Sequence, residues 1–128
     1  MDYKKLFQIA DAAKKNAYTP FSKFQVGAAL LTADGAIFTG VNVENSSYGG
    51  TICAERTAFV KAISEGARGF TAIAVASGGG EALPCGICRQ FMYEFSPELD
   101  VITGKDENSL RVQPLSLLLP EGFRLEAE

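Results

Sequence analysis

All three cysteines of this chain fall into two short motifs, Cys53-Ala54-Glu55 and Pro84-Cys85-Gly86-Ile87-Cys88, in a sequence without histidine. A fold that uses them together must bring two distant segments to one point. Three thiolates fill three of the four positions of a tetrahedral zinc, and a catalytic site differs from a structural one by leaving the fourth to water. Cys53 and Glu55 stand two apart, so along a regular helix their side chains diverge by roughly 200°. They cannot share a mid-helix face. At a helix N-terminus they can converge, because side chains there reach off the helix end, where unpaired N–H groups and the positive end of the dipole favour anions. The expected fold therefore sets two helix N-termini side by side over the carboxyl edge of a sheet, gathering Cys53, Cys85 and Cys88 around one ion.

Local patterns supply such a frame. Asp2 predicts the cap of a first helix in which Leu6, Ile9, Ala10, Ala13 and Ala17 recur at the helical period, and Pro20 closes that region. Runs from Gln25 to Thr32 and from Ala36 to Val43 flank Asp34-Gly35, a hairpin signal. Thr51 is the expected cap of a second helix carrying Ala58, Phe59, Ala62 and Ile63, with Gly66 and Gly69 at its end. Phe70 to Ala76 reads as a strand covered on both faces. Pro84 suits the first turn of a third helix that runs through Cys88, Phe91, Met92 and Phe95 to Pro97, and Val101-Ile102-Thr103 supplies a short strand. Arg111 to Gln113 is a candidate last strand, and Leu115 to Leu119 a short helix ended by Pro120. The expectation is an α/β fold in three layers, α/β/α, around a mixed five-stranded sheet that opens with an antiparallel hairpin and continues with parallel strands. At 128 residues, one domain spanning 1–128 is expected.

Composition narrows the function. Hydrophobic residues make up 47% of the chain and charged residues 21%, which leaves apolar surface for self-association. A net charge of −3 and a pI near 5.0 argue against a nucleic-acid partner, since that binding rests on clustered Lys and Arg, and favour a small neutral substrate. No apolar run approaches the roughly 20 residues of a membrane span, and the opening Met1-Asp2-Tyr3-Lys4-Lys5 is unlike a signal peptide. A cytoplasmic protein without a membrane partner is expected, and there an odd number of cysteines argues against a disulfide framework.

Other readings of the cysteines leave more unexplained. Cys85-x-x-Cys88 alone suits a redox pair, but then Cys53 and Glu55 have no role. A structural zinc closes its shell with a fourth Cys or His, and here only a carboxylate or an intersubunit ligand could serve. Free thiols are often simply buried apolar residues. Three thiolates on a dication leave a formal charge of −1, which weakens the Lewis acidity that activates water. Arg56, otherwise read as a solvated helix charge, is the nearest group able to offset it by donating hydrogen bonds to sulfur. Glu55 is assigned proton transfer and not coordination.

Together with Tyr18-Thr19-Pro20-Phe21-Ser22-Lys23-Phe24-Gln25-Val26-Gly27-Ala28-Ala29, Gly40-Val41-Asn42-Val43-Glu44-Asn45 and Leu118-Leu119-Pro120 followed by Phe123, the two cysteine motifs make the chain resemble the cytidine deaminases, specifically the small homotetrameric type with a three-cysteine zinc site. The resemblance implies one zinc per subunit on Cys53, Cys85 and Cys88, with Glu55 as the catalytic acid and base. It implies that Asn42 and Glu44 hold the ribose hydroxyls, as residues two apart on a strand can. Phe24 would pack on the pyrimidine ring, where it otherwise reads as a core aromatic, and the backbone around Ala54 would read the base. Tyr48 would lie at a subunit boundary, and Phe123 would reach a neighbouring subunit's site. The implied reaction is hydrolytic deamination of cytidine and 2′-deoxycytidine to the uridine nucleosides, a step of pyrimidine salvage. A blasticidin-type deaminase shares the cysteine motifs and is the alternative within this reaction class. A noncatalytic zinc-stabilised assembly module is the alternative outside it. Deaminases acting on transfer RNA usually take His as first ligand, which this chain cannot supply.

Overall fold

Side-chain alternation along two central strands sets the layers of the computed structural model, which describes residues 2–126. On β1 (Val26–Thr32), Val26, Ala28 and Leu30 enter one core while Ala29 and Leu31 enter the other. In the order of the chain, β2 (Ile37–Val41) precedes β3 (Phe70–Ser77), on which Ile73 and Val75 oppose Ala72, Ala74 and Ala76 in the same way. Helix α1 (Tyr3–Ala13) lays Leu6, Phe7 and Ala10 on the alanine-rich face. Helices α2 (Ala54–Ser64) and α3 (Gly86–Phe95) cover the opposite face with Ala58, Phe59, Ala62, Cys88 and Met92. The three-layer α/β/α arrangement expected from the doubly buried strand is the one observed.

The sheet runs β2-β1-β3-β4-β5, completed by β4 (Asp100–Gly104) and β5 (Leu110–Pro114). Strand β1 is antiparallel to both neighbours, β3 and β4 are parallel, and the β1–β2 turn passes through Gly35 at φ +93°. Parallel pairing stops there, because β5 returns antiparallel to β4. The connection, residues 105–109, is too short for a crossover, which needs about a dozen residues.

Capping at the helix starts decides where the cysteines stand. Asp2 caps α1 as expected, accepting from the Lys4 N–H at 2.9 Å. Thr51 does not cap α2: its Oγ1 accepts from the Asn45 N–H at 3.2 Å, and Cys53 takes the N-cap position. Pro84 likewise lies one residue before the N-cap of α3, which is Cys85. Fully buried Phe59 of α2 packs on both α3 and β3, its ring centroid 5.9 Å from Phe95 and 4.9 Å from Phe70. Each such pair is worth about 0.5–1.5 kcal/mol beyond its buried area. A last short helix, α4 (Leu115–Leu118), follows β5. Among the described residues no helix is long and apolar enough to cross a membrane.

Candidate metal centre

Cys53 and Cys85 both sit at helix N-caps in extended backbone, and Cys88 follows in the first turn of α3. This converts two separate motifs into one cluster. The three Sγ atoms lie within 4.8 Å of one another, and those of Cys53 and Cys85 are 3.8 Å apart. A disulfide holds its sulfurs near 2.05 Å, whereas two sulfurs bound tetrahedrally to zinc at roughly 2.3 Å stand about 3.8 Å apart. The spacing is that of ligands.

Electrostatics agree with geometry. The Cys53 thiol is pulled well below its usual range, chiefly by a hydrogen bond from the Cys88 thiol and further by Arg56, against the opposing effect of burial. The same bond to Cys53, with burial, pushes the Cys88 thiol up. The cluster thus holds a thiolate stabilised by a neighbouring thiol and an arginine, and a dication placed among these sulfurs strips the remaining protons. Arg56 Nη2 donates to Cys53 Sγ at 3.6 Å and to the Thr51 carbonyl at 3.4 Å. Its Nε is buried with no hydrogen-bond partner among the described residues. A guanidinium held beside sulfur in this way suits three thiolates that carry excess negative charge.

Glu55, 4% exposed, lies in the first turn of α2. Burial raises its carboxyl to about 7, with the Cys53 thiolate adding to the rise. A group with that pKa both takes and gives protons near neutrality. Cys53, Glu55 and Cys85 line one cleft of about 200 Å³ together with Phe24, Asn42, Ala54 and Leu83. Drug-sized sites run from roughly 300 Å³, so this cleft suits a small ligand. A larger depression of about 670 Å³ between α1 and the 105–109 loop is polar and contains no cysteine.

The remaining candidates are placed unevenly. Asn42 reaches the cleft, but its amide is already engaged: Nδ2 donates to the Phe24 carbonyl at 2.8 Å and Oδ1 accepts from the Val26 N–H at 3.0 Å. Glu44 lies outside the cleft lining, its carboxylate accepting from the N–H groups of Phe21 and Ser22 at 3.0 and 3.1 Å. Tyr48 and Phe123, 77% and 63% exposed, lie outside it too. Two residues that local sequence patterns do not single out tie the metal loop to the chain's end. Arg89 donates to the Pro84 and Leu118 carbonyls, each at 2.7 Å, and Gln90 donates to the Phe123 carbonyl at 2.7 Å. Their position directly after Cys88, in Cys88-Arg89-Gln90, was the available signal.

Three sulfurs at paired helix N-termini, with a buried carboxyl group in the same cleft, define a zinc hydrolase site of the base-deaminating class. Comparison with known proteins gives the family. The model of the cytidine and deoxycytidylate deaminase zinc-binding region matches residues 1–104. A probable cytidine deaminase of Dictyostelium discoideum is 49% identical, over 98% of this chain and 88% of its own length. The cytidine deaminase of Halalkalibacterium halodurans is 47% identical, over 98% and 97%. The crystal structure of cytidine deaminase from Burkholderia pseudomallei superposes with a TM-score of 0.91 at 46% identity, covering 96% of this chain and all of that one (100%). The chain belongs to the cytidine deaminase family; it is a zinc enzyme, and its three-cysteine cluster fits the ion.

Proposed function

We propose that the chain catalyses hydrolytic deamination of cytidine and 2′-deoxycytidine to uridine and 2′-deoxyuridine, releasing ammonia. The observation that carries this reading is the buried Glu55 carboxyl in the same cleft as Cys53 and Cys85. Cys53, Cys85 and Cys88 hold the zinc, which when bound lowers the pKa of water to near neutrality. Glu55 accepts a proton from the attacking water and passes it to ring N3 as oxygen adds at C4. It then takes the proton of the new C4 hydroxyl and delivers it to the departing amine as C4=O forms and the C4–N bond breaks, so that water and cytidine balance uridine and ammonia. Phe24 packs on the ring, the backbone at Ala54 reads the base, and Asn42 and Glu44 hold the sugar. Arg56 offsets the charge of the sulfurs.

In this reading the whole chain, 1–128, acts as one domain in the cytoplasm, within pyrimidine salvage. It works as a homotetramer with shared sites. Support for sharing comes from apolar side chains left for a neighbouring subunit to cover: Tyr18, Phe21, Tyr48, Leu83 and Ile87 are between 44% and 77% exposed, and Leu83 also lines the cleft. The test combines metal analysis with the ultraviolet change as cytidine becomes uridine. Glu55→Gln is expected to keep zinc and fold and to lose about 10²–10⁴-fold in kcat, while Cys85→Ala loses stoichiometric zinc. Zinc-loaded protein that leaves cytidine untouched would favour the assembly-module reading instead.

A further inference from the structure

The segment between α1 and β1 presents Phe24, and Ser22 is bonded to both ends of the candidate nucleoside site. Its hydroxyl donates to Glu44 Oε2 and accepts from the Phe24 N–H at 3.0 Å. The backbone N–H groups of Phe21 and Ser22 bind the other carboxylate oxygen. Lys23, between Ser22 and Phe24, holds φ +62°, a left-handed conformation that a non-glycine residue keeps only where its surroundings enforce it. Those surroundings are specific. Asn42 grips the Phe24 carbonyl from below, and the Phe24 ring lies so close over Gly79 that a Cβ there would come within 2.8 Å of Cε1. Ring, carboxylate and loop therefore form one hydrogen-bonded unit with Ser22 Oγ at its junction.

Acceptor arithmetic shows what this unit leaves open. An ionised carboxylate offers about four lone-pair sites, and three of those on Glu44 are taken by the 21–22 segment. The fourth is on Oε2, the oxygen Ser22 orients. The hydrogen bond from Ser22 is also the largest cause of the lowered Glu44 pKa, which keeps that oxygen a pure acceptor. A ligand hydroxyl must approach along the direction that remains.

We propose that Ser22 is a positioning residue for nucleoside recognition: its hydroxyl aims the free lone pair of Glu44 and fixes the backbone of Phe24 in one register, so that sugar and base are gauged against each other. This rests on the reading that Glu44 and Phe24 touch the nucleoside. The Ser22 hydroxyl bonds Glu44 and the Phe24 N–H and lies outside the lining of the cleft that holds Cys53, Glu55 and Cys85, so its loss acts on binding and not on chemistry.

The test measures kcat and KM for cytidine in Ser22→Ala, Ser22→Thr, Glu44→Ala and the Ser22→Ala/Glu44→Ala double variant. A hydrogen bond to a charged group is worth about tenfold or more when buried, and solvent at this exposed loop reduces that to about three- to tenfold in KM. Ser22→Ala is expected to raise KM by that factor with kcat within about twofold of wild type. Ser22→Thr, which keeps the hydroxyl, restores KM, and Ser22→Ala adds nothing once Glu44 is gone. Unchanged KM in Ser22→Ala beside a raised KM in Glu44→Ala overturns the role of Ser22 alone. An unchanged KM in Glu44→Ala overturns the sugar-binding reading beneath it. Equal effects of Ser22→Ala and Ser22→Thr, or additivity in the double variant, also count against the proposal.

Discussion

Replacing Gly40 by alanine tests whether the backbone of the sheet sets the height of the metal centre. Gly40, on β2, lies beneath the start of α2. A Cβ built there falls 2.4 Å from the Ala54 carbonyl oxygen, 2.4 Å from the Ala58 nitrogen and 2.9 Å from the Ala58 Cα. Ordinary contact begins at 3.4 Å, and all three obstacles are backbone, so the first turn of α2 must rise by about 1 Å. Overpacking of this kind costs about 1–3 kcal/mol, which in a domain of this size lowers Tm by about 3–15 °C. The displaced peptide lies between Cys53 and Glu55, and a misplacement of about 1 Å in a catalytic array costs on the order of 10²-fold in rate. Gly27 offers a matched control on the opposite face. A Cβ there would meet the Ala10 carbonyl oxygen at 2.1 Å and the Lys14 nitrogen at 2.7 Å, displacing α1, which carries none of the site. Calorimetry, bound zinc and kcat per zinc, measured on both variants, separate the two effects. Both are expected to lose stability, and only Gly40→Ala to lose turnover per bound zinc. Gly40→Ala with wild-type turnover, or Gly27→Ala with an equal catalytic loss, refutes the reasoning.

Two further outcomes rest on other contacts. If Phe123 completes a neighbour's site, mixing inactive Glu55→Gln with a crippled Phe123→Ala under conditions of subunit exchange restores activity, because hybrid assemblies contain some sites with both groups intact; continued inactivity places Phe123 elsewhere. The Tyr3 hydroxyl donates to Asp100 Oδ2 at 2.7 Å, and burial with that bond raises its pKa from 10.0 to about 12. The folded state then holds the proton between pH 10 and about 12 where the unfolded chain releases it, so this contribution to stability is complete below pH 10 and lost as pH rises through about 12. Denaturant midpoints across that window are expected to fall more steeply for the native chain than for Tyr3→Phe.

What could be read in the chain, and what could not, divides by distance along it. The hairpin at Asp34-Gly35, the doubly buried strand and the Asp2 cap arise from neighbours a few residues apart, and all three are present. Thr51 misleads because capping preference counts only the local N–H groups, whereas Cys53 must leave its sulfur off the helix end to meet Cys85. The direction of β5 was open to a simple length argument that strand order alone obscured. Ser22 and Gly40 had no local signal, since each matters through a partner far along the chain, Glu44 and Ala54 respectively. Asn42 and Glu44 were read as a pair two apart on a strand, but β2 ends at Val41, and the bonds that already occupy much of their capacity run to the distant 21–26 segment.

With no histidine in the chain, Arg56, which donates to Cys53 Sγ at 3.6 Å, is the residue expected to offset the charge of three sulfurs. Neutral imidazole would leave a zinc site less electron-rich, whereas three thiolates over-neutralise the ion by one charge. Two sources of positive potential oppose that excess. The N-termini of α2 and α3 supply roughly half a charge each, distributed over N–H groups such as that of Cys88, which donates to Cys85 Sγ at 3.5 Å. Arg56 supplies a whole charge within 3.6 Å of Cys53 Sγ. Removing it leaves the sulfurs, the helices and Glu55 in place, so Arg56→Gln is expected to retain zinc and lose about 10–100-fold in kcat. Arg56→Lys, which returns the charge without the planar fork, falls between the two. Because charge and not fold is the variable, the order of the three in kcat is the decisive readout: equal turnover in the Gln and Lys variants, or full turnover in either, removes charge compensation as the reason a three-sulfur site can activate water.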